Sequence, residues 1–288
     1  MEVKDSRIDG GKPFDWGRVT AEYGKYRDIY PQEFYDRILA RGIGGPGQRI
    51  LDLGTGTGVL PRNLRRYGAD WVGIDRSEEQ IREARRLSEG MGIVYQALPA
   101  EALSFPDGSF DGVTACQCFW YFDHEKLSPA LFRLLKAGGK VLVLYMAWLP
   151  FEDPIAGKSE ELVLKYSPNW SGAGETVHPI AIPEIYQEHF FLTFHEEFRL
   201  SVPFTWESWN GRMKACRGVG ASLSEKELEQ WEKEHRELLW RIAPEKFTVL
   251  HYGAVAELTV KKEELYVPGD KAGAGGVAEA APSEKAPE

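Results

Sequence analysis

Cysteine is nearly absent from this chain of 288 residues: there are three, Cys116, Cys118 and Cys216. An odd count without framework spacing excludes a disulfide-built fold and implies a reducing, cytoplasmic setting. The six histidines include no His-x-x-x-His pair or other ligand spacing, so no metal is expected. Basic residues are outnumbered, 35 Lys and Arg against 44 Asp and Glu, for a net charge of -9. That balance argues against a nucleic-acid partner, because phosphate binding depends on clustered cations. Arg62, Arg65 and Arg66 could form a basic patch, but on a helix they read as a solvated face. Long apolar runs are missing too. The longest, Val141 to Phe151, contains Pro150 and falls well short of the roughly 20 residues needed to cross a bilayer. No membrane span is expected, and Met1-Glu2-Val3-Lys4-Asp5-Ser6 has no apolar signal core.

Glycine, by contrast, is plentiful, with 30 residues, and three of them are placed to carry chemistry. Ile50-Leu51-Asp52-Leu53-Gly54-Thr55-Gly56-Thr57-Gly58-Val59-Leu60 reads as a strand, a glycine loop and the start of a helix. Trp71-Val72-Gly73-Ile74-Asp75 then reads as a second strand with an acidic end. Alternate glycines let the backbone turn sharply and approach a ligand where a Cβ would clash. Asp75 follows Gly54 by 21 residues, where a carboxylate can accept both hydrogen bonds of a ribose diol. A dinucleotide fingerprint needs Gly-x-Gly-x-x-Gly, yet its third glycine would fall on Val59 or on Pro61, so neither register fits NAD.

The pattern Asp-x-Gly-x-Gly-x-Gly, with Asp52 two residues before Gly54, resembles motif I of the class I S-adenosylmethionine-dependent methyltransferases. The resemblance continues downstream. Asp75-Arg76-Ser77 looks like that family's ribose-binding acid and its neighbours. The run from Ala100 and Glu101 through Phe110 and Asp111 looks like the segment before its fourth strand. Leu134 to Val141, with Gly138-Gly139, looks like the turn into its fifth. Together these cover roughly residues 18 to 147 and are most similar to the small-molecule branch around ubiquinone and menaquinone biosynthesis methyltransferases.

The resemblance implies an α/β, Rossmann-like, doubly wound and mostly parallel seven-stranded sheet with an inserted lid. The expected organisation is one methyltransferase domain over residues 1 to 267 and a disordered tail over 268 to 288. Within the domain, a cofactor-covering helix is expected at about 18 to 40 and a core at about 46 to 147. A proline-broken lid follows at about 148 to 192, then C-terminal strands and a helix at about 194 to 262. Local signals give strands at Gln48 to Leu53, Trp71 to Asp75, Ile93 to Gln96, Phe110 to Cys118, Val141 to Met146, Phe198 to Phe204 and Phe247 to Lys261. Ser77 and Ser224 read as capping boxes, and Ser128-Pro129 as the start of the last turns of a helix ended by Gly138-Gly139.

For the site, the resemblance implies that Gly54, Thr55 and Gly56 line the methionine and ribose of S-adenosylmethionine, with Asp52 acting at one remove. Asp75, beside Arg76, would take the ribose diol. For adenine the family pattern has a polar residue before Ala100, but here it is Pro99, which offers no side-chain acceptor. The Ala100 N–H would then serve the ring, and Glu101 or a backbone carbonyl the amino group. Gln117 matches a position that faces the cofactor, the other reading being a solvated loop amide. Tyr23 and Arg27 could bind the cofactor carboxylate, whereas Tyr26 and Tyr30 read equally well as packing. One of Phe119, Trp120, Tyr121 and Phe122 would wall the acceptor pocket. No catalytic residue is assigned: His124 and His178 are candidate bases, His235 reads as a core histidine, and Cys116 and Cys118 as packing groups.

The function these residues imply is methyl transfer to a small, partly apolar or aromatic acceptor by proximity and orientation, leaving S-adenosylhomocysteine. Two other classes remain open at this point. One is a protein that binds the cofactor without turnover; the other is a nucleotide-dependent oxidoreductase.

Overall fold

The computed structural model describes residues 4, 6, 8 to 15, 18, 24 to 26 and 28 to 262. Tyr23, Arg27 and the tail expected from 268 lie outside the described residues. Seven strands form one sheet in the order β3-β2-β1-β4-β5-β7-β6. They are β1 (Arg49–Leu53), β2 (Asp70–Asp75), β3 (Val94–Ala97), β4 (Phe110–Cys116), β5 (Leu135–Trp148), β6 (Phe190–Thr205) and β7 (Lys246–Val260). The first five run parallel, and β7 is antiparallel to both β5 and β6. This is the mostly parallel, doubly wound sheet expected, with its order reversing at β1 and β4, where such sheets bind ligands.

Helices follow the strands as apolar stripes require. They are α1 (Gln32–Ala40), α2 (Val59–Leu64), α3 (Glu78–Leu87), α4 (His124–Leu134), α5 (Pro154–Tyr166), α6 (Trp206–Lys214) and α7 (Glu225–Ile242). Two buried clusters, one on each face of the sheet, hold it. One joins Ile50, Leu142 and Leu144 to α5, α6 and α7 through Val163, Trp209 and Trp231. The other joins Leu51, Val113 and Val143 to α4 through Leu127, Leu131 and Leu134. At about 25 cal/mol per Å², each such side chain contributes roughly 1.5 to 3 kcal/mol when buried.

Several elements depart from the expectations. Helix α4 begins at His124, four residues before Ser128, because Leu127, Leu131 and Leu134 form one buried stripe that outweighs the N–H missing from Pro129. Gly138-Gly139 does not end a helix. Phe110 pairs with Leu135 and Gly112 with Lys140, so residues 136 to 139 bulge out of β5, with Gly138 at φ 71. Strand β6 starts at Phe190 rather than Phe198, which shortens the expected lid, and that segment holds its own helix, α5. Helix α6 was not expected at all. Near the N-terminus, residues 24 to 26 are helical but 28 to 31 are not, and α1 restarts after Pro31, so Tyr30 is not on a continuous helix. Ser77 caps α3 by accepting the Gln80 N–H, with no return bond from Gln80. The Ser224 box on α7 is complete.

Candidate active site

The turn from β1 into α2 makes a cleft at the carboxyl ends of the parallel strands. Gly54, Gly56 and Gly58 have φ of 58, 55 and 77, the left-handed region that glycine reaches without strain. At Gly54 a Cβ would come within 2.8 Å of the Cys118 Sγ, so glycine is required there by space as well as by conformation. Lining this cleft are Tyr30, Asp52, Gly54, Thr55, Gly56, Val59, Leu60, Cys116 and Gln117.

Two carboxylates set its electrostatics. Asp52 is buried and accepts 2.6 Å hydrogen bonds from the Thr55 and Thr114 hydroxyls. Burial still wins over these bonds and pushes its carboxyl up to about 7. Asp75 stands at the end of β2, its Oδ2 accepting the Gly56 N–H at 3.0 Å and its Oδ1 the Ser77 N–H at 2.9 Å. Burial raises Asp75 as well, against those two bonds. Each of its oxygens keeps a further lone pair, so a vicinal diol can be accepted without displacing the protein donors. No basic side chain is among the described lining residues, so the cleft favours a ligand bearing positive charge.

The structure therefore brings Asp52, Gly54, Thr55, Gly56 and Gln117 to one cleft and ties Asp75 to its loop. Gln117 has φ 64, a conformation that costs of order 1 to 3 kcal/mol for a residue with a side chain. Its backbone N–H donates to the Leu144 carbonyl at 2.9 Å, and its side-chain amide donates to the Met146 carbonyl. This places a strained amide between β4 and β5 at the cleft wall rather than in a solvated loop. Arg76 is exposed outside the lining. Ala100 is buried in the turn after β3, and the Pro99 carbonyl accepts the Ala102 N–H, so that carbonyl is already engaged. The Glu101 Oε1 accepts the Asp123 N–H at 3.0 Å, at the start of α4, which leaves its Oε2 for a further donor.

Tyr30, Val59, Leu60 and Cys116 complete the lining without having been assigned to it. The sequence signal for Val59, Leu60 and Cys116 was proximity to the glycine loop and to the end of β4, and for Tyr30 its place in the N-terminal segment expected to cover the cofactor. The Cys116 Sγ donates to the Tyr30 hydroxyl at 3.4 Å. Burial raises the Cys118 thiol well above its ordinary value, so it packs as a neutral group with its Sγ donating to the Leu53 carbonyl. His124 lies against Phe119 and the Tyr186 hydroxyl, and burial lowers its basicity. His235 is fully buried, bridging Asn210 and Ser159, as a core histidine should.

A mostly parallel sheet with this order, a glycine loop after β1 and an acid at the end of β2 make a Rossmann-like architecture. Residues 51–143 match the family described as a methyltransferase domain. Among curated proteins, the demethylmenaquinone methyltransferase of Thermus thermophilus is 45% identical over 102 residues, 34% of this chain and 46% of that protein. The ubiquinone biosynthesis O-methyltransferase of Nitrosococcus oceani is 39% identical over 130 residues, 44% of this chain and 54% of that protein. The chain thus spans about half the length of these relatives. A solved structure of a type II methyltransferase candidate from Anaeromyxobacter dehalogenans shares the fold at TM-score 0.51 and 18% identity, covering 80% of this chain and 96% of its own. Phosphoethanolamine N-methyltransferase 2 of Haemonchus contortus, solved with phosphomonomethylethanolamine and S-adenosylhomocysteine, gives 0.50 and 20%, covering 90% and 59%.

Proposed function

We infer that this protein transfers the methyl group of S-adenosylmethionine to a small acceptor. The observation that carries this reading is the buried Asp52 and the half-buried Asp75 meeting at a glycine loop, with no basic side chain among the described lining residues. The donor would supply an electrophilic methyl on a cationic sulfur. Asp75 would hold its ribose, with the loop N–H of Gly56 already aligned by the same carboxylate. The Thr55 and Thr114 hydroxyls keep the Asp52 carboxyl oriented. Gln117, fixed by two carbonyls, would hold the wall between donor and acceptor. None of these groups needs to exchange a proton, so the chain contributes orientation and exclusion of water.

Small acceptors are favoured over macromolecules by the methyltransferase relatives of quinone biosynthesis and by the net charge of -9. A cytoplasmic location accords with three cysteines that are all free. The test is transfer of radiolabelled methyl from S-adenosylmethionine to small phenols, hydroquinones and amines, with S-adenosylhomocysteine quantified in parallel. Stoichiometric label in a small product supports the reading. Label found only in protein or nucleic acid overturns it.

A further inference from the structure

A second carboxylate site lies beyond Gln117, at the same end of the sheet. The Glu175 Oε1 accepts the Tyr252 hydroxyl at 2.9 Å and lies 2.9 Å from the His178 Nε2, and its Oε2 accepts the Tyr145 hydroxyl at 2.7 Å. Tyr145, Tyr252 and His178 stand around this carboxylate with ring centroids 5.8 to 5.9 Å apart. Trp120 meets Tyr145 edge-on at 5.1 Å and keeps 51% of its surface open. The carboxylate is not a loose surface group. The Gly174 N–H donates to the Glu160 Oε2 at 2.9 Å, and the Glu160 Oε1 is fixed by the Trp148 indole N–H, so a buried acid on α5 sets the position of Glu175.

The position relative to the donor cleft follows from the chain. Gln117, which lines that cleft, is bonded to the carbonyls of Leu144 and Met146, the residues on either side of Tyr145. The segment after β4 faces both sites: Cys118 lies against Gly54 of the glycine loop, and two residues later Trp120 lies against Tyr145.

A carboxylate has about four acceptor positions, and three are used here. Among the described residues no Lys or Arg pairs with Glu175, and its side chain is 18% exposed. With the His178 imidazole as its basic contact and no Lys or Arg beside it among the described residues, an acid walled by aromatic rings attracts a cation both by charge and by the negative faces of the rings. A fastening for the lid alone would explain the tyrosine bonds but not the open Trp120 beside them.

We propose that Glu175, within the box of Tyr145, Tyr252, His178 and Trp120, binds a cationic nitrogen of the acceptor and so selects amines. This rests on the methyltransferase reading for the acceptor's role but not for the binding itself. Glu160 is a positioning residue, acting through Gly174.

The test is calorimetric titration of the full chain, with and without saturating S-adenosylhomocysteine, using 2-phenylethylamine and its neutral analogue 2-phenylethanol. The amine is expected to bind at least tenfold tighter than the alcohol. Glu175→Gln should remove that preference while leaving S-adenosylhomocysteine affinity within about twofold. Trp120→Ala, at an exposed position, should weaken the amine several-fold with unchanged thermal melting, and it carries the test if Glu175→Gln does not fold. Equal binding of amine and alcohol, no binding of either, or full amine affinity in both variants overturns the proposal. Failure of S-adenosylhomocysteine to bind would instead sink the methyltransferase reading, with the amine titration on the free protein still reading the box.

Discussion

The donor cleft and the Glu175 box both centre on acids held by hydrogen bonds, but they are built over different distances along the chain. Asp52 and Asp75 are held largely by near neighbours: Thr55 is three residues from Asp52, and Ser77 is two from Asp75. Gly56 lies 19 residues from Asp75, and only Thr114 on β4 comes from beyond β1 and β2 and the turns that follow them. The box instead gathers Trp120, Tyr145, Glu175 and Tyr252, and it needs β7 in place beside β5 and Gly174 docked on α5. Pairing of β1 with β2 is thus enough to assemble most of the cleft, whereas the box exists only once the outer half of the sheet has closed. Damage to the outer layer should accordingly cost acceptor binding before it costs donor binding.

The strongest way to break the donor cleft is to damage its glycine loop. At Gly58, φ is 77 and a Cβ would drive into the Tyr95 hydroxyl and ring. Gly58→Val should destabilise the protein by about 4 kcal/mol, from left-handed strain plus overpacking, and abolish donor binding. Urea unfolding checks this, and a loss below about 1 kcal/mol would show that the loop relaxes.

Acid sharpens the comparison from the other side. His235 and His251, both buried in the outer half, are held down to about 3 by burial, against 6.5 for the free group. The unfolded chain takes up their protons below about pH 6.5 while the folded protein cannot. Stability is therefore complete above that pH and falls as pH drops from 6.5 towards 3, by about 1.4 kcal/mol per unit for each histidine. Unfolding at pH 7, 6 and 5 should show this slope, and His235→Gln should reduce it.

Asp52 titrates in the opposite sense. Its carboxyl holds a proton up to about 7 in the fold, against 3.8 for the free group, so folding is penalised as pH rises between those values. Asp52→Asn should be more stable than the parent at pH 8, by about 1 kcal/mol once the altered bonds to the two threonines are counted, and equal to it near pH 3. An identical pH profile in the variant would remove Asp52 as the source.

The same difference in distance decides what could be read from the sequence. Gly54, Gly56, Asp52 and Asp75 were legible because turn geometry and strand ends fix their relations within about 25 residues of chain. The parallel core was legible for the same reason, each strand carrying its own apolar run and each helix its own stripe. Tyr145 and Tyr252 look like ordinary strand residues. Only the antiparallel register, which sets Tyr145 against Ala254 and Tyr252 against Ala147, puts them on one face. The bond from the Asp123 N–H to Glu101 was hidden for the same reason, because Ser128-Pro129 masked where α4 begins. Helix α6 escaped notice because its buried side, Trp209, Arg212 and Met213, mixes polar and apolar groups.

On the proposed function, the glycine loop and Asp75 form the site for S-adenosylmethionine. The most direct test is calorimetric titration of the protein and of Asp75→Ala with S-adenosylmethionine, S-adenosylhomocysteine and NADH. The first two are expected to bind and NADH is not, and the substitution should weaken both ligands by about a hundredfold, as loss of two hydrogen bonds to a charged acceptor implies. Binding of NADH alone, or unchanged affinity in Asp75→Ala, would contradict it.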